Sequence, residues 1–123
     1  MNMSFFLTQE QLISGEKDVT RRLNKYGPTW KRLKAGDVLW AVKKSQGLKK
    51  GEKVERICRI EVLSVRQEKV GELMRHPYGK NECVREGFPD MTQYEFAAYL
   101  LTANGLPDSA LGAMCTRIEF KKI

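Results

Sequence analysis

The stretch "VERICRIEVLSVRQE", residues 54 to 68, constrains the fold more than any other part of the chain. Cys58, Ile60 and Val62 alternate with Arg59 and Glu61, the period of two that buries one face of a strand. The phase then slips, because Leu63 and Val65 also demand burial. A strand keeps its apolar residues inside across such a slip by bulging or bending, so a bulge or barrel corner is predicted near residues 62 to 64.

The neighbouring segments supply strands and helices for a small curved sheet. "SFFL" reads as a short buried strand. "TQEQLISG" reads as a two-turn helix, with Thr8 and Gln11 as a capping box, Leu7 and Leu12 as a hydrophobic staple, and Gly15 at the left-handed C-terminal position. "DVTRRL" extends, placing Val19, Arg21 and Leu23 on one face and Thr20 and Arg22 on the other, with Lys17 in the turn before them. "DVLWAV" is apolar on both faces and is expected to be buried on both. "KKSQGLKKGEK" is expected to be a mobile, exposed lysine-rich hairpin or loop, "VGELM" a helical turn and "RHPYG" a turn. "PDMTQYEFAAYLLTANG" is a helix capped by Thr92 and Glu95 and ended by Gly105, with Tyr94, Phe96, Ala97, Leu100 and Leu101 as core residues. "CTRIEFKKI" is a closing strand with Thr116, Ile118 and Phe120 on one face. The order is α+β, and a small barrel with two or three flanking helices accommodates it.

With 123 residues the chain fits a single domain, residues 1–123, and its 30% charged and 41% hydrophobic content is that of a globular protein. No basic-then-apolar leader and no run near ~18 apolar residues occurs, so a cytoplasmic protein is expected. Cys58, Cys83 and Cys115 are odd in number and widely spaced, which disfavours a disulfide framework or zinc site. His76 is the sole histidine. It excludes a histidine-built metal site, and no motif points to a cofactor.

Charge locates a partner-binding region. Residues 1–56 hold 13 Lys and Arg against 6 Asp and Glu, whereas residues 57–123 hold 9 against 9. Between Arg21 and Lys34 lie Arg22, Lys25, Lys31 and Arg32, no acid, and the aromatics Tyr26 and Trp30. Cations attract a phosphate backbone and rings stack on bases, which suits single-stranded nucleic acid. A solubilising basic face with Trp30 in the core is equally compatible with charge alone.

Gly15, Lys17, Thr20 and Arg22 match the Gly-x-Lys-x-x-Thr-x-Arg signature of the ASCH domain, a member of the PUA-like superfamily of small β-barrels. "LKAGDVLWAV", "EGFPD" and "TRIEF" resemble further landmarks of that family in the same order, and the resemblance spans nearly the whole chain. "GLKKGEKVERICRIEVLSVRQE" is similar to a branch of small ASCH proteins common in phages and prophages. The resemblance implies a PUA-like barrel that handles RNA or modified nucleosides. One ASCH group removes the acetyl group of N4-acetylcytidine with a lysine, a threonine and a glutamate. The matching residues would be Lys17, Thr20 and, in the segment before the last helix, Glu86. Another ASCH protein resembles a single-strand ribonuclease.

The residues alone leave binding and catalysis both open. Arg21, Arg22, Lys25, Tyr26, Trp30, Lys31 and Arg32 are the expected nucleic-acid contacts. For amide hydrolysis Thr20 needs an activating base. Lys17 would serve if neighbouring arginines lowered its pKa, while Glu86 would keep it charged or act as proton acceptor itself. Arg22 would anchor a phosphate or orient the glutamate.

Overall fold

The computed structural model describes residues 1–44 and 48–123, and of Tyr26 the backbone only. Five strands form one mixed sheet: β1 (Asn2–Ser4), β2 (Val19–Leu23), β3 (Val38–Val42), β4 (Arg56–Lys69) and β5 (Met114–Lys122), in spatial order β1-β3-β4-β5-β2. Three helices accompany it, α1 (Gln9–Ser14), α2 (Tyr78–Arg85) and α3 (Gln93–Thr102). Among the described residues only the β1–β3 pair is parallel.

The expected bulge is present. The β4–β5 register shifts between Val62 and Ser64, and Leu63 is turned out to 41% exposure. The extra residue bends a 14-residue strand that pairs with β3 over its first half and with β5 beyond it. The sheet curls without closing, since β1 and β2 are its two edges. Their meeting is made by a side chain: Arg22 Nη2 on β2 donates to Ser4 O on β1 at 2.6 Å.

Two apolar clusters flank the sheet. Met3, Phe5, Leu39, Ile60, Val62, Ile118 and Phe120 fill the curled interior. Leu23, Leu73, Cys83, Phe96, Leu101 and Cys115 hold α2 and α3 against the strand ends. The Thr92–Glu95 capping box forms as expected, with reciprocal bonds of 3.1 and 2.9 Å.

Several local expectations need correction. Thr8 makes no capping bond and Leu7 is 64% exposed, so α1 has neither box nor staple; packing of Leu12 and Gly15 at φ +86° define it instead. Phe6 is exposed, and the first strand ends at Ser4 rather than running through "SFFL". In β3, Val38 is exposed and Trp40 half-buried, its ring packed against the guanidiniums of Arg56 and Arg59 at 4.4 and 5.8 Å. Tyr94 points to solvent. Of the lysine-rich segment, residues 45–47 lie outside the described residues.

Helix α2 has no counterpart in the sequence reading. Its buried face is Gly79, Glu82 and Cys83, a set with no apolar periodicity. Gly79 is required by close approach: a Cβ there would stand 1.7 Å from Leu73 O.

Candidate functional site

Strand β2 carries two different environments, one on each face. On the first, Arg21 is buried in a network of carboxylates. Its Nε donates to Glu68 at 2.7 Å, Nη1 to Glu86 at 2.9 Å, and Nη2 to Glu82 and to Tyr78 Oη, the last at 3.1 Å. Arg117 stands directly opposite Arg21 in the β2–β5 register. Two like charges facing across a ladder repel; here Glu82 accepts from both guanidiniums. Burial alone would lower the Arg21 pKa, but Glu86, Glu68 and Glu82 hold it above its usual range. Burial likewise opposes ionisation of Glu82, and the bonds from Arg117 with the charge of Arg21 reverse this, bringing its pKa down to about 2. Tyr78 bonds to Glu68 at 2.7 Å and also to Arg66. Burial and that bond to Glu68 raise its pKa.

Glu86 connects this network to the other face. Its Oε2 accepts from Arg21, while Lys17 Nζ donates to Glu86 Oε1 at 3.0 Å and to Glu86 O at 2.8 Å. Lys17 is 4% exposed and Glu86 3%. Two contacts set this approach. Asp18 N–H bonds Arg85 O, tying the turn before β2 to the end of α2. Gly87, at φ +97°, lies where a Cβ would come 3.0 Å from Gln11 Cβ, so the chain after Glu86 runs close against α1. Burial pulls the Lys17 pKa below its usual value; Glu86 opposes this, and Arg22 and Arg21 add to it.

Lys17, Thr20, Arg22 and Glu86 line one cleft of about 270 Å³ at the gap between the edge strands. Phe6, Phe88 and Tyr99 contribute its aromatic surface, and Asn104 a polar rim. Among the described residues Thr20 Oγ1 makes no hydrogen bond, and Arg22 Nε is a buried side-chain donor without a partner. Arg22 also packs its guanidinium over Phe5 and Trp30, 5.4 and 5.6 Å from the ring centroids, and burial lowers its pKa to about 10. With two of its three N–H groups on Glu86, Lys17 keeps one for the cleft. The cleft is therefore rich in donors. Phe6 separates it from a second groove of about 200 Å³ that holds Lys43, Lys44 and Lys53.

The structure thus brings Lys17, Thr20, Arg22 and Glu86 together and scatters the rest of the basic run. The Arg21 guanidinium is not presented to a strand of nucleic acid, because all its charge is committed to buried acids. Lys31 and Arg32 are exposed on a short 3₁₀ turn. Trp30 is half-buried against the inner core, and exposed Lys25 bonds Asn104 O at 2.6 Å. The side chain of Tyr26 lies outside the described residues. Sequence reasoning missed Glu68, Tyr78, Glu82 and Arg117. One signal was available: Arg21 shares a face with Val19 and Leu23, an apolar setting that marks an inward arginine.

Among the described residues no group of acids, cysteines or histidines is arranged to hold a metal ion, and no helix is long and apolar enough to cross a membrane. No protein-family model matches the chain, and no curated protein matches it in sequence. Solved structures do match in fold. The hypothetical protein PH0355 superposes with a TM-score of 0.62 at 16% identity, over 99% of this chain and 97% of its own. An ASCH domain from Lactobacillus crispatus JV V101 gives 0.59 at 16% identity, over 98% and 77%. Protein EF3133 from Enterococcus faecalis V583, of the family DUF984, gives 0.59 at 14% identity, over 94% and 69%. The open five-stranded sheet and its helices therefore share the fold of these solved structures, one of which is an ASCH domain.

Proposed function

We propose that the domain binds single-stranded RNA or a modified nucleoside, with one base in the cleft lined by Lys17, Thr20, Arg22 and Glu86. The observation that carries this reading is one hollow lined by Lys17 with one N–H beyond its two bonds to Glu86, by the unbonded Thr20 hydroxyl, and by Arg22, whose buried Nε has no partner. Donors that the protein leaves unpaired favour a ligand rich in carbonyl or phosphate oxygens. A volume of about 270 Å³ suits one base and its sugar rather than a helix of paired strands. Lys43, Lys44 and Lys53 in the groove beyond Phe6, with exposed Lys31 and Arg32, supply positive charge for the flanking backbone. The test is titration with short single-stranded RNAs at low and moderate salt. Salt-dependent binding that Arg22→Met weakens supports the reading; no binding at low salt rejects it.

Hydrolysis of an N4-acylated cytidine is the second reading, favoured by contact of Lys17 with Glu86 beside the unbonded Thr20 hydroxyl. Thr20 Oγ1 would add to the amide carbon while neutral Lys17 takes its proton and passes it to the departing amine. Water would then release the acid from the acyl-threonine. Glu86 is a poor base for this, since both its oxygens are held by cations. Acetate release from N4-acetylcytidine, lost in Thr20→Val, supports this reading, and wild-type protein without turnover rejects it. The same panel read by mass spectrometry reports strand cleavage, the mark of a ribonuclease.

A further inference from the structure

Arg21 lines the cleft although its side chain is 0% exposed. The residue as a whole is 4% exposed, so the atoms it shows to the cleft are those of its main chain. The register explains which way they point. Phe120 N–H donates to Asp18 O at 3.0 Å, and these two residues are opposite one another in the ladder that pairs Val19 with Glu119 and Thr20 with Ile118. In an antiparallel ladder, hydrogen-bonded pairs alternate with non-hydrogen-bonded ones. Thr20 and Arg22 therefore turn their N–H and C=O toward β5, whereas Val19, Arg21 and Leu23 turn theirs away. Strand β2 is an edge, so no strand lies there to receive them. Among the described residues, the main-chain N–H and C=O of Arg21 form no hydrogen bond. A nearly buried, unpaired main-chain pair is costly unless something fills it.

We infer that the main-chain N–H and C=O of Arg21 read the Watson–Crick edge of an unpaired nucleobase in this cleft. The inference rests on the binding reading above and adds the atoms that recognise the base. A strand edge offers a donor and an acceptor side by side. The bases present the complement: N3–H with O4 in uracil, N4–H with N3 in cytosine, and N6–H with N1 in adenine. The buried Arg21 network holds the reading atoms rigid from the other face of the strand. An extended peptide has the same donor–acceptor complement, but the Arg22–Ser4 bond crosses the gap and blocks a continuous strand along β2. The donors of Lys17, Thr20 and Arg22 also match base and phosphate oxygens better than a peptide. A paired base has its edge occupied, so duplex is excluded.

The experiment uses the full ¹⁵N-labelled chain and single-stranded hexamers of uridine, cytidine and adenosine. Affinity is measured by calorimetry, and amide hydrogen exchange is read residue by residue. The tightest hexamer is compared with its counterpart methylated at N3 (N1 for adenine) and with its duplex. Free protein is expected to exchange Arg21 N–H faster than Thr20 and Arg22 N–H. The hexamer should slow Arg21 exchange at least ten-fold, methylation should weaken binding at least ten-fold, and duplex should not protect Arg21. Tight hexamer binding with Arg21 exchange unchanged, or equal affinity for the methylated hexamer, overturns the inference and leaves the binding reading standing. Protection by an extended peptide but by no RNA overturns it in favour of strand addition. Absence of any RNA binding at low salt overturns both readings.

Discussion

The two faces of β2 carry the same residue types under opposite conditions. On one face Arg21 spends its guanidinium on Glu68, Glu82, Glu86 and Tyr78. On the other, Arg22 has one bond to Ser4 O and a buried Nε with none, beside a threonine hydroxyl that the protein does not use. Where polar groups are mutually satisfied they hold a shape, and where they are left over they mark the candidate site. Glu86 belongs to both, one oxygen on Arg21 and one on Lys17, so the rigid side orients the open side.

The comparison predicts where damage falls. Arg21→Met removes one cationic partner from each of three buried carboxylates and should destabilise the fold by about 3–5 kcal/mol in urea unfolding; a loss below ~1 kcal/mol would show that the network is not structural. The same network predicts acid sensitivity. Folding depresses the pKa of Glu82 from 4.5 to about 2, so its contribution is complete above about pH 4.5 and is lost as pH falls toward 2. That contribution is on the order of 3 kcal/mol. Glu82→Gln should flatten the dependence of stability on pH across this window, and an unchanged slope would assign it to other acids.

Changes on the open face should reverse the pattern. Arg22→Met should weaken RNA binding about ten-fold or more, as expected for a lost charge-assisted bond of ~1.5–3 kcal/mol, with less effect on unfolding than Arg21→Met. Thr20→Val removes one neutral donor and should cost ~0.5–1.5 kcal/mol of affinity. Smallest of all at high salt, Lys31→Ala with Arg32→Ala should leave affinity there nearly intact, with the loss appearing as salt is lowered because the salt slope falls by roughly one unit for each phosphate no longer neutralised.

Much of this was legible because it is local. The period and phase slip of β4, the capping box at Thr92, and the spacing of Lys17, Thr20 and Arg22 all lie within short windows. The bent strand and the α+β class follow from them. What was not legible is what arrives from far along the chain. Glu68, Glu82 and Glu86 reach Arg21 across separations of 47, 61 and 65 residues. Resemblance to a family, and not periodicity, pointed to Glu86. Helix α2 escaped because its buried face is Gly79, Glu82 and Cys83, so it carries no apolar stripe. The basic run looked like one surface because sequence counts charges without their direction; parity along β2 separates Arg21 from Arg22.

The most direct test of the central claim compares two variants on one RNA. The claim is that the ligand sits in the gap between β1 and β2 and not on the exposed basic turn. Affinity of a short single-stranded RNA is measured across a salt series for Arg22→Met and for the Lys31→Ala/Arg32→Ala pair. A ligand in the gap predicts a ten-fold or greater loss at every salt for the first and a change of slope alone for the second. Wild-type affinity in Arg22→Met, with binding abolished in the pair, would contradict it.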